Sequence, residues 1–432
     1  MSKNLGTVDT VNSMLRNNCI LIEVGGSTRR ITLENFTKSI QSGDLNLALY
    51  AWGVPLKQGV QTSPNWGRMG NTSMFEQYEE QCGLYLLTNS GVMAKLSKSN
   101  KKKFADGTPV DETKGHIMFW GPRLYFLVKN DAQAGYPVLW MSTLPIGGHY
   151  IEAPCIGAYM GSNVGDVLVS RSNLAVDKNK NIRTFWANAR KNSKDFGLMN
   201  YDHIRYLNML NLSKFGNTNV QENVGYGPCG DGNTWEKTNA IKTGATVSLG
   251  DKCGKIDISA TAGNAKACHT NFYGIENLWG WYWQMIQGIY FGSSKNTGQS
   301  GLETFIYEGN YMPTDAELSS KPASDYRTVQ RASGNGYVKN MVLGEHFDIV
   351  PSVVGGTGTG SNSYWGDQYW GLNDSETTPT GQLFLFGGSA WGGAHCGLGC
   401  VNGRYAFSAS NDVYGARLAY FGTPKFTDGA NL

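Results

Sequence analysis

Helical hydrophobic periodicity is strongest in one region of this chain, and that confines what it can fold into. In NIRTFWANARKN the residues Ile182, Phe185, Trp186 and Ala189 fall at i, i+3, i+4 and i+7. In the NYDHIRYLNMLNL that follows, Ile204, Leu207 and Leu210 repeat the spacing, so two amphipathic helices are predicted. Beyond residue 220 no comparable period returns, and Gly-rich turns separate short strand-like runs to the end. The fold class expected from this pattern is α+β, with two helices packed on many short strands. Aromatic residues make up 12% of the 432 and Gly numbers 56, which suits a β-rich, loop-rich protein that presents aromatic surface.

Upstream, the text divides twice. Residues 1–48 carry a short apolar period at Val8, Val11 and Leu15, then CILIEV, a GGS turn and RRITLENF as a hairpin, with Leu33, Phe36 and Ile40 continuing at helical spacing. So small a unit buries little surface alone. It is expected to attach to a neighbouring domain, a symmetry mate or an anchoring protein. Residues 49–145 read as a small β-rich connector domain, with runs such as CGLYLLTN, GHIMFWGPRLYFLVKN and PVLWMS between Gly, Pro, Asn and Lys-rich turns. Residues 146–432 form the C-terminal domain.

Several function classes are disfavoured. A net charge of +3 and a pI near 8.3 fall short of the concentrated basic footprint of nucleic-acid binding, so no nucleic-acid partner is expected. The one basic run, Lys101 to Lys103, reads as a solvated loop. No apolar run approaches a membrane span, so no membrane insertion is expected, and the N-terminus lacks a secretory pattern, which points to synthesis in a cytoplasm. The eight Cys include no CxxC pair, and reduced buried thiols are expected, with pairing among Cys229, Cys253 and Cys268 as the lesser alternative. HExxH, GxxxxGK[ST], GxSxG and EF-hand loops are all missing, and GGTGTGSNSYW from Gly355 reads as a loop. No catalytic residue, metal site or cofactor is expected, because the six His are dispersed. Two clusters keep a second reading. His395, Cys396 and Cys400 offer soft-metal donors, although an i, i+4 pair in a strand spans about 13 Å. Asp367, Asn373, Asp374 and Glu376 offer calcium oxygens or ordinary turn residues. In GIENLWGWYWQMIQGIYF, Trp279, Trp281 and Trp283 alternate as on one strand face and read as core, with a sugar-stacking platform as the minor reading.

Four stretches, in this order, carry a resemblance: APCIGAYMGS with VSRS; FWANARKN, YDHIRYLNML and FGNTNVQ; GIENLWGWYW; and GGSAWGGAHCGLGC with YGARLAYF. Over residues 146–432 the chain resembles the C-type-lectin-type fold shared by formylglycine-generating enzymes and the variable proteins of diversity-generating retroelements. IEVGGSTRRITLENF and ETKGHIMFWGPRLYFLVK are similar to tail-associated proteins of phages and prophages of Bacteroides-type bacteria. The resemblance implies a C-terminal C-type-lectin-like domain with a ligand-binding variable region at about 387–418. It implies a homotrimeric receptor-binding protein at a virion tail tip, with other tail proteins and a bacterial surface protein or polysaccharide as partners. A bacterial surface adhesin is the alternative within the binding class, and a copper oxidase using Cys396 and Cys400 is the enzymatic one.

In this family adenine-directed mutation of Asn-type codons diversifies the site without reaching Lys, Glu, Gln, Met or Trp. On that rule the candidate ligand-binding positions are Ala390, Gly392, His395, Gly399, Gly403, Arg404, Tyr405, Phe407, Ala409, Asp412, Val413 and Tyr414. From Gly387 to Leu418 the chain contains no Lys, Glu, Gln or Met. Gly387, Gly388, Ser389, Trp391, Cys396, Asn402, Ser408, Gly415, Ala416 and Arg417 are the expected framework between them. Tyr405 and Phe407 are expected to face outward, where truncation would leave stability unchanged. The Cys spacing departs from the oxidases, and the Glu-Pro-Asn, Gln-Pro-Asp and Trp-Asn-Asp motifs of calcium-dependent sugar-binding lectins are absent, so neither chemistry follows from the fold.

Overall fold

The helix Tyr201–Phe215 starts at Asn200, whose side-chain oxygen accepts the His203 N–H while His203 Nδ1 accepts the Asn200 N–H, both at 3.1 Å. This capping box satisfies two otherwise orphaned donors. Gly216, at φ 67°, ends the helix by donating to Leu212 O. The computed structural model describes residues 19–24, 27–43, 46–58, 66–292, 302–320, 326–355, 365–372 and 380–432. The apolar period Val8, Val11, Leu15, the turn of the N-terminal hairpin, nearly all of the GGTGTGSNSYW stretch, and Asn373, Asp374 and Glu376 lie outside them.

The sequence pattern gave this helix one apolar stripe, but it is buried nearly all round, including the polar His203, Arg205, Asn208, Asn211 and Ser213. Several of these polar groups have remote partners: Ser213 Oγ accepts Trp52 Nε1–H at 2.9 Å, and Asn208 Nδ2 donates to Leu398 O at 3.1 Å. The Tyr206 and Tyr78 hydroxyls meet at 2.7 Å. The second expected helix, Ile182–Arg190, is capped by Asn181 and buries Ile182, Phe185 and Ala189.

The architecture is α+β. An eight-stranded sheet runs Phe196–Leu198, Leu418–Tyr420, Cys155–Gly157, His116–Trp120, Gly83–Leu87, Val92–Ser97 and Lys425–Thr427, with Asn100–Phe104 pairing Val92–Ser97. Ile156 pairs with both Phe119 and Ala419, so the sheet crosses the boundary drawn between residues 145 and 146. Strands on the two sides share one core, in which Trp52, Tyr78 and Leu84 pack with Tyr206 and Trp279. Within residues 49–145 the helix Thr72–Gln81 also forms, burying Phe75 and Tyr78. A five-stranded sheet combines His149–Ile151, Leu124–Asp131, Tyr136–Ser142, Trp52–Pro55 and Met69–Gly70. Against it the N-terminal helix Leu33–Ser42 buries Phe36 and Ile40 on Val138, Trp140 and Ile146.

The nine-stranded sheet carries the C-terminal surface. Its centre is Trp283–Phe291, flanked by Gln382–Phe386 and Glu303–Ile306, and joined in parallel by Tyr414–Gly415. Trp279, Trp281 and Trp283 are buried, as the core reading expects, but they do not share one strand face. The strand begins at Trp283, and Trp279 lies in a different apolar cluster from the other two. Among the described residues no helix is long and apolar enough to cross a membrane.

Lys101 is a correction. It sits in the strand Asn100–Phe104 with no exposure, and its ammonium donates to Thr246 Oγ1, Asn271 Oδ1 and Gly274 O at 2.9, 2.7 and 2.8 Å. Burial pushes its pKa down to about 7, with Glu276 pulling the other way.

Candidate binding surface

The segment 387–418 leaves the strand Gln382–Phe386 through Gly387 and Gly388, at φ 88° and 80°. Consecutive left-handed residues let the chain reverse, and a Cβ on Gly388 would stand 2.4 Å from Cys396 Sγ. The next residues are pinned by backbone: Ala390 donates to Trp281 O at 3.0 Å and accepts from Thr234 N at 2.9 Å. Trp391 then projects outward, 57% exposed, with its ring edge-on to Trp235 at 6.5 Å. After the short turn Gly393–His395, the strand Val401–Asn402 returns to pair with Phe386 and Leu385.

The far half is fixed in the same manner. Asn402 Oδ1 accepts the Arg404 N–H at 3.1 Å, Tyr405 O accepts Leu383 N–H at 2.7 Å, and Asn411 O accepts from both Asn179 and Tyr414. Arg417 closes the segment in the core. Its guanidinium donates to Gln284 Oε1, Gly157 O and Glu276 O at 3.0, 2.9 and 2.8 Å, and burial lowers its pKa to about 9. Glu276 in turn accepts from Gly244 N, Thr246 N and Thr246 Oγ1, and Thr246 Oγ1 also takes Lys101. A buried polar network therefore underlies the loop and couples it to the eight-stranded sheet.

The twelve candidate positions separate by access. Arg404 and Tyr405 are exposed, and Gly392, His395, Ala409 and Asp412 are half-buried. Ala390, Gly399, Gly403, Phe407, Val413 and Tyr414 are buried, so in this conformation they support the surface rather than form it. Phe407 is 5% exposed and packs on Tyr290, which corrects the expectation that it faces outward like Tyr405. Glycine positions are restricted further: a Cβ on Gly392 would meet Cys396 Sγ at 2.5 Å, and one on Gly403 would meet Phe291 Cδ2 at 2.0 Å. Of the expected framework, Trp391 and Ser408 are exposed, whereas Arg417, Ala416 and Cys396 are buried.

A connected row of rings runs from the exposed Tyr405 through the buried Tyr414 and Trp283 to the half-buried Trp370, His395 and Tyr337. Tyr405 meets Tyr414 at 5.5 Å, Tyr414 is the strand partner of Trp283, Trp283 meets Trp370 at 5.4 Å, and His395 lies 5.7 Å from Trp370 and 5.3 Å from Tyr337. Burial lowers the pKa of His395, so its ring is neutral near pH 7 and adds to an aromatic patch. Trp370 and Tyr337 were missed by sequence reasoning, although the aromatic run in YWGDQYW was a visible cue.

The first alternative site does not assemble as drawn, and of the second only Asp367 lies among the described residues. Cys396 and Cys400 are fully buried, as is Cys229 beside Cys396. Cys229 draws the Cys396 pKa down, but Cys400 and burial outweigh it, and burial raises that of Cys400, so both remain thiols without access for a substrate. Asp367 is buried, accepts Gly399 N–H at 2.7 Å, and burial raises its pKa well above the carboxylate range. It serves the turn. The histidines are less dispersed in space than in sequence, because His149 and His346 stack with ring centroids 4.0 Å apart. Away from the loop, a polar cleft of about 920 Å³ is lined by residues including Arg123, Tyr150, Arg190, Asp202 and Tyr420.

Neither a family model nor a curated protein sequence matches the chain. Among solved structures it is similar to the Major Tropism Determinant I1 variant at 11% identity and TM-score 0.29. It is also similar to the M1 variant at 14% and 0.29, and to the U1 variant at 14% and 0.28. In all three cases the match covers 79% of this chain and 72% of the other.

Proposed function

We propose that this protein is a non-enzymatic adhesin, a receptor-binding protein of a phage or prophage tail that grips a bacterial surface protein or polysaccharide through the surface from Trp391 to Asp412. The observation that carries the reading is the contrast within that segment. Trp391 and Tyr405 stand 57% and 42% exposed on a backbone pinned by strand pairing and by the buried Arg417. Large aromatic side chains with few rotatable bonds give contact area at low entropic cost, while Ser408, Ser410 and Asn411 beside them supply adaptable hydrogen bonds. A fixed scaffold under variable side chains is what a retroelement-diversified site requires, and the resemblance of GGSAWGGAHCGLGC and YGARLAYF to such proteins agrees with it. Trp391 is then a constant anchor, and Arg404, Tyr405, Ala409, Asp412 and His395 are the positions free to change.

A homotrimer at the tail tip, attached through residues 1–48 to other tail proteins, would let weak single sites act together with a large gain in avidity. The same surface would serve a bacterial surface adhesin. The copper-oxidase alternative is disfavoured by the burial of Cys396 and Cys400.

The test is binding of the labelled full chain to intact cells of a Bacteroides panel. A Trp391→Ala, Tyr405→Ala double variant that keeps its melting temperature but loses cell binding by an order of magnitude or more supports the reading. Retained binding by that variant removes this surface from recognition and directs attention to the polar cleft.

A further inference from the structure

His149 opens the edge strand His149–Ile151 of the five-stranded sheet, paired with Phe126 and in ring contact with it at 5.7 Å. His346 lies in the turn between Asn335–Leu343 and Asp348–Val354. That turn is unusual: Leu343, Gly344 and Phe347 have φ of 50°, 56° and 51°. Two non-glycine residues in the left-handed region cost energy that the surroundings must offset, and such strain collects at sites with a task. Arg205 Nη1 also holds the turn by donating to His346 O at 2.7 Å. The result is that His346 is presented to His149, ring on ring at 4.0 Å and 33°.

Glu345 completes the group, with Oε1 3.6 Å from His346 Nε2. One donor atom from each of His149, Glu345 and His346 lies within 4.8 Å of the others. His346 Nδ1 is buried without a hydrogen-bond partner. Two imidazoles and a carboxylate converging in this way can offer three lone pairs to one point, a donor set that a cation can bridge. The neighbouring cations are paired, Arg205 with Asp202 at 2.5 Å and Arg327 with Asp348 at 2.5 Å, although Arg327 still disfavours positive charge at His346.

We propose that His149, Glu345 and His346 form a site for a divalent transition-metal ion of the zinc class. Mixed imidazole and carboxylate donors favour such ions over calcium or magnesium, which take all-oxygen sets. Metal–nitrogen bonds of about 2.0–2.1 Å need donor atoms roughly 3.4 Å apart, within reach of small side-chain rotations from the observed spacing. The ion staples the five-stranded sheet to a turn almost two hundred residues later in the chain. The fourth position is left to water, since the Glu345 side chain is 79% exposed.

The experiment uses the full chain, stripped with EDTA and dialysed, then titrated with zinc chloride and, separately, with cobalt chloride. The expected result is one zinc per chain and a higher Tm. His149→Gln and Glu345→Gln should each weaken zinc binding by roughly tenfold or more. Glu345→Gln alters only an exposed side chain and so separates ligand loss from misfolding. Cobalt should give visible bands without thiolate charge transfer in the near ultraviolet. No zinc uptake by the stripped protein overturns the proposal. So does uptake unchanged in the His149→Gln, Glu345→Gln double variant, or a thiolate–cobalt band, which would move the ion to Cys229, Cys396 and Cys400.

Discussion

Tyr405 meets Tyr414 edge to face at 5.5 Å, yet one ring is 42% exposed and the other 4%. The pair marks where the surface ends and its support begins. Tyr405→Ala should cost no more than about 1 kcal/mol, the worth of one aromatic contact at a partly exposed site. Tyr414→Ala and Phe407→Ala should each cost about 3–5 kcal/mol, the range for emptying a buried aromatic site. Urea denaturation of the three variants checks this, and an equal loss for Tyr405→Ala would mean that its ring belongs to the core.

His203 should make the fold acid-sensitive. Burial lowers its pKa to about 4, and its Nδ1 must stay unprotonated to accept the Asn200 N–H at 3.1 Å. With the folded value below the ordinary 6.5, the unfolded chain binds more protons between the two. Stability is then fully present above pH 6.5 and is lost as pH falls toward 4. His203→Gln keeps an acceptor at this capping-box position and removes the titration. The wild type should lose up to about 1.4 kcal/mol per pH unit more than this variant across that window. Parallel stability curves for the two proteins would contradict the assignment.

Lys101 gives the opposite edge of the pH range. Its folded pKa of about 7 lies below the ordinary lysine value, so the unfolded chain again binds more protons, here from pH 7 upward. Stability attributable to this group rises as pH increases from 7. Buried thiols such as Cys82, raised to about 12, oppose it once unfolded cysteines ionise near pH 8.5 to 9. The clean window is therefore pH 7 to 8.5. There the wild type should gain up to about 1.4 kcal/mol per pH unit relative to Lys101→Met. Chemical denaturation at three pH values tests it, and a gain of equal size in Lys101→Met would place the effect elsewhere.

These residues also show what the sequence can and cannot reveal. Helices Ile182–Arg190 and Tyr201–Phe215 were legible because their apolar period is local. Burial of Asn208 and Ser213 was not, because their partners Leu398 and Trp52 are remote in the chain. The same holds for Lys101, read as solvated from its neighbours although its acceptors lie beyond residue 245. The boundary at residue 145 followed a change in local composition, while strand pairing such as Ile156 with Phe119 ignores it. Helix Thr72–Gln81 was hidden because only Phe75 and Tyr78 in it are fully buried. At the surface, a codon rule selected residue types and was blind to access, so it admitted Phe407 and assigned the exposed Trp391 to the framework.

Access also predicts which positions tolerate diversity. A Cβ on Gly403 would stand 2.0 Å from Phe291 Cδ2 and 2.2 Å from Cε2, and Phe291 is itself fully buried against Phe384 and Tyr369. No flexible chain end is available to yield, so Gly403→Ser should destabilise by about 1–3 kcal/mol or more. Ala409→Ser, at a half-buried position, should stay within about 0.5 kcal/mol. Thermal unfolding of the two single variants measures the difference directly. Sequencing codons 380–421 across many clones of the source population asks the same question of selection. Changes should gather at His395, Arg404, Tyr405, Ala409 and Asp412 and spare Gly392, Gly399 and Gly403. Substitutions as frequent at Gly403 as at Tyr405 would show that the loop is built differently in its natural assembly, and an invariant interval would leave a binding site of fixed specificity.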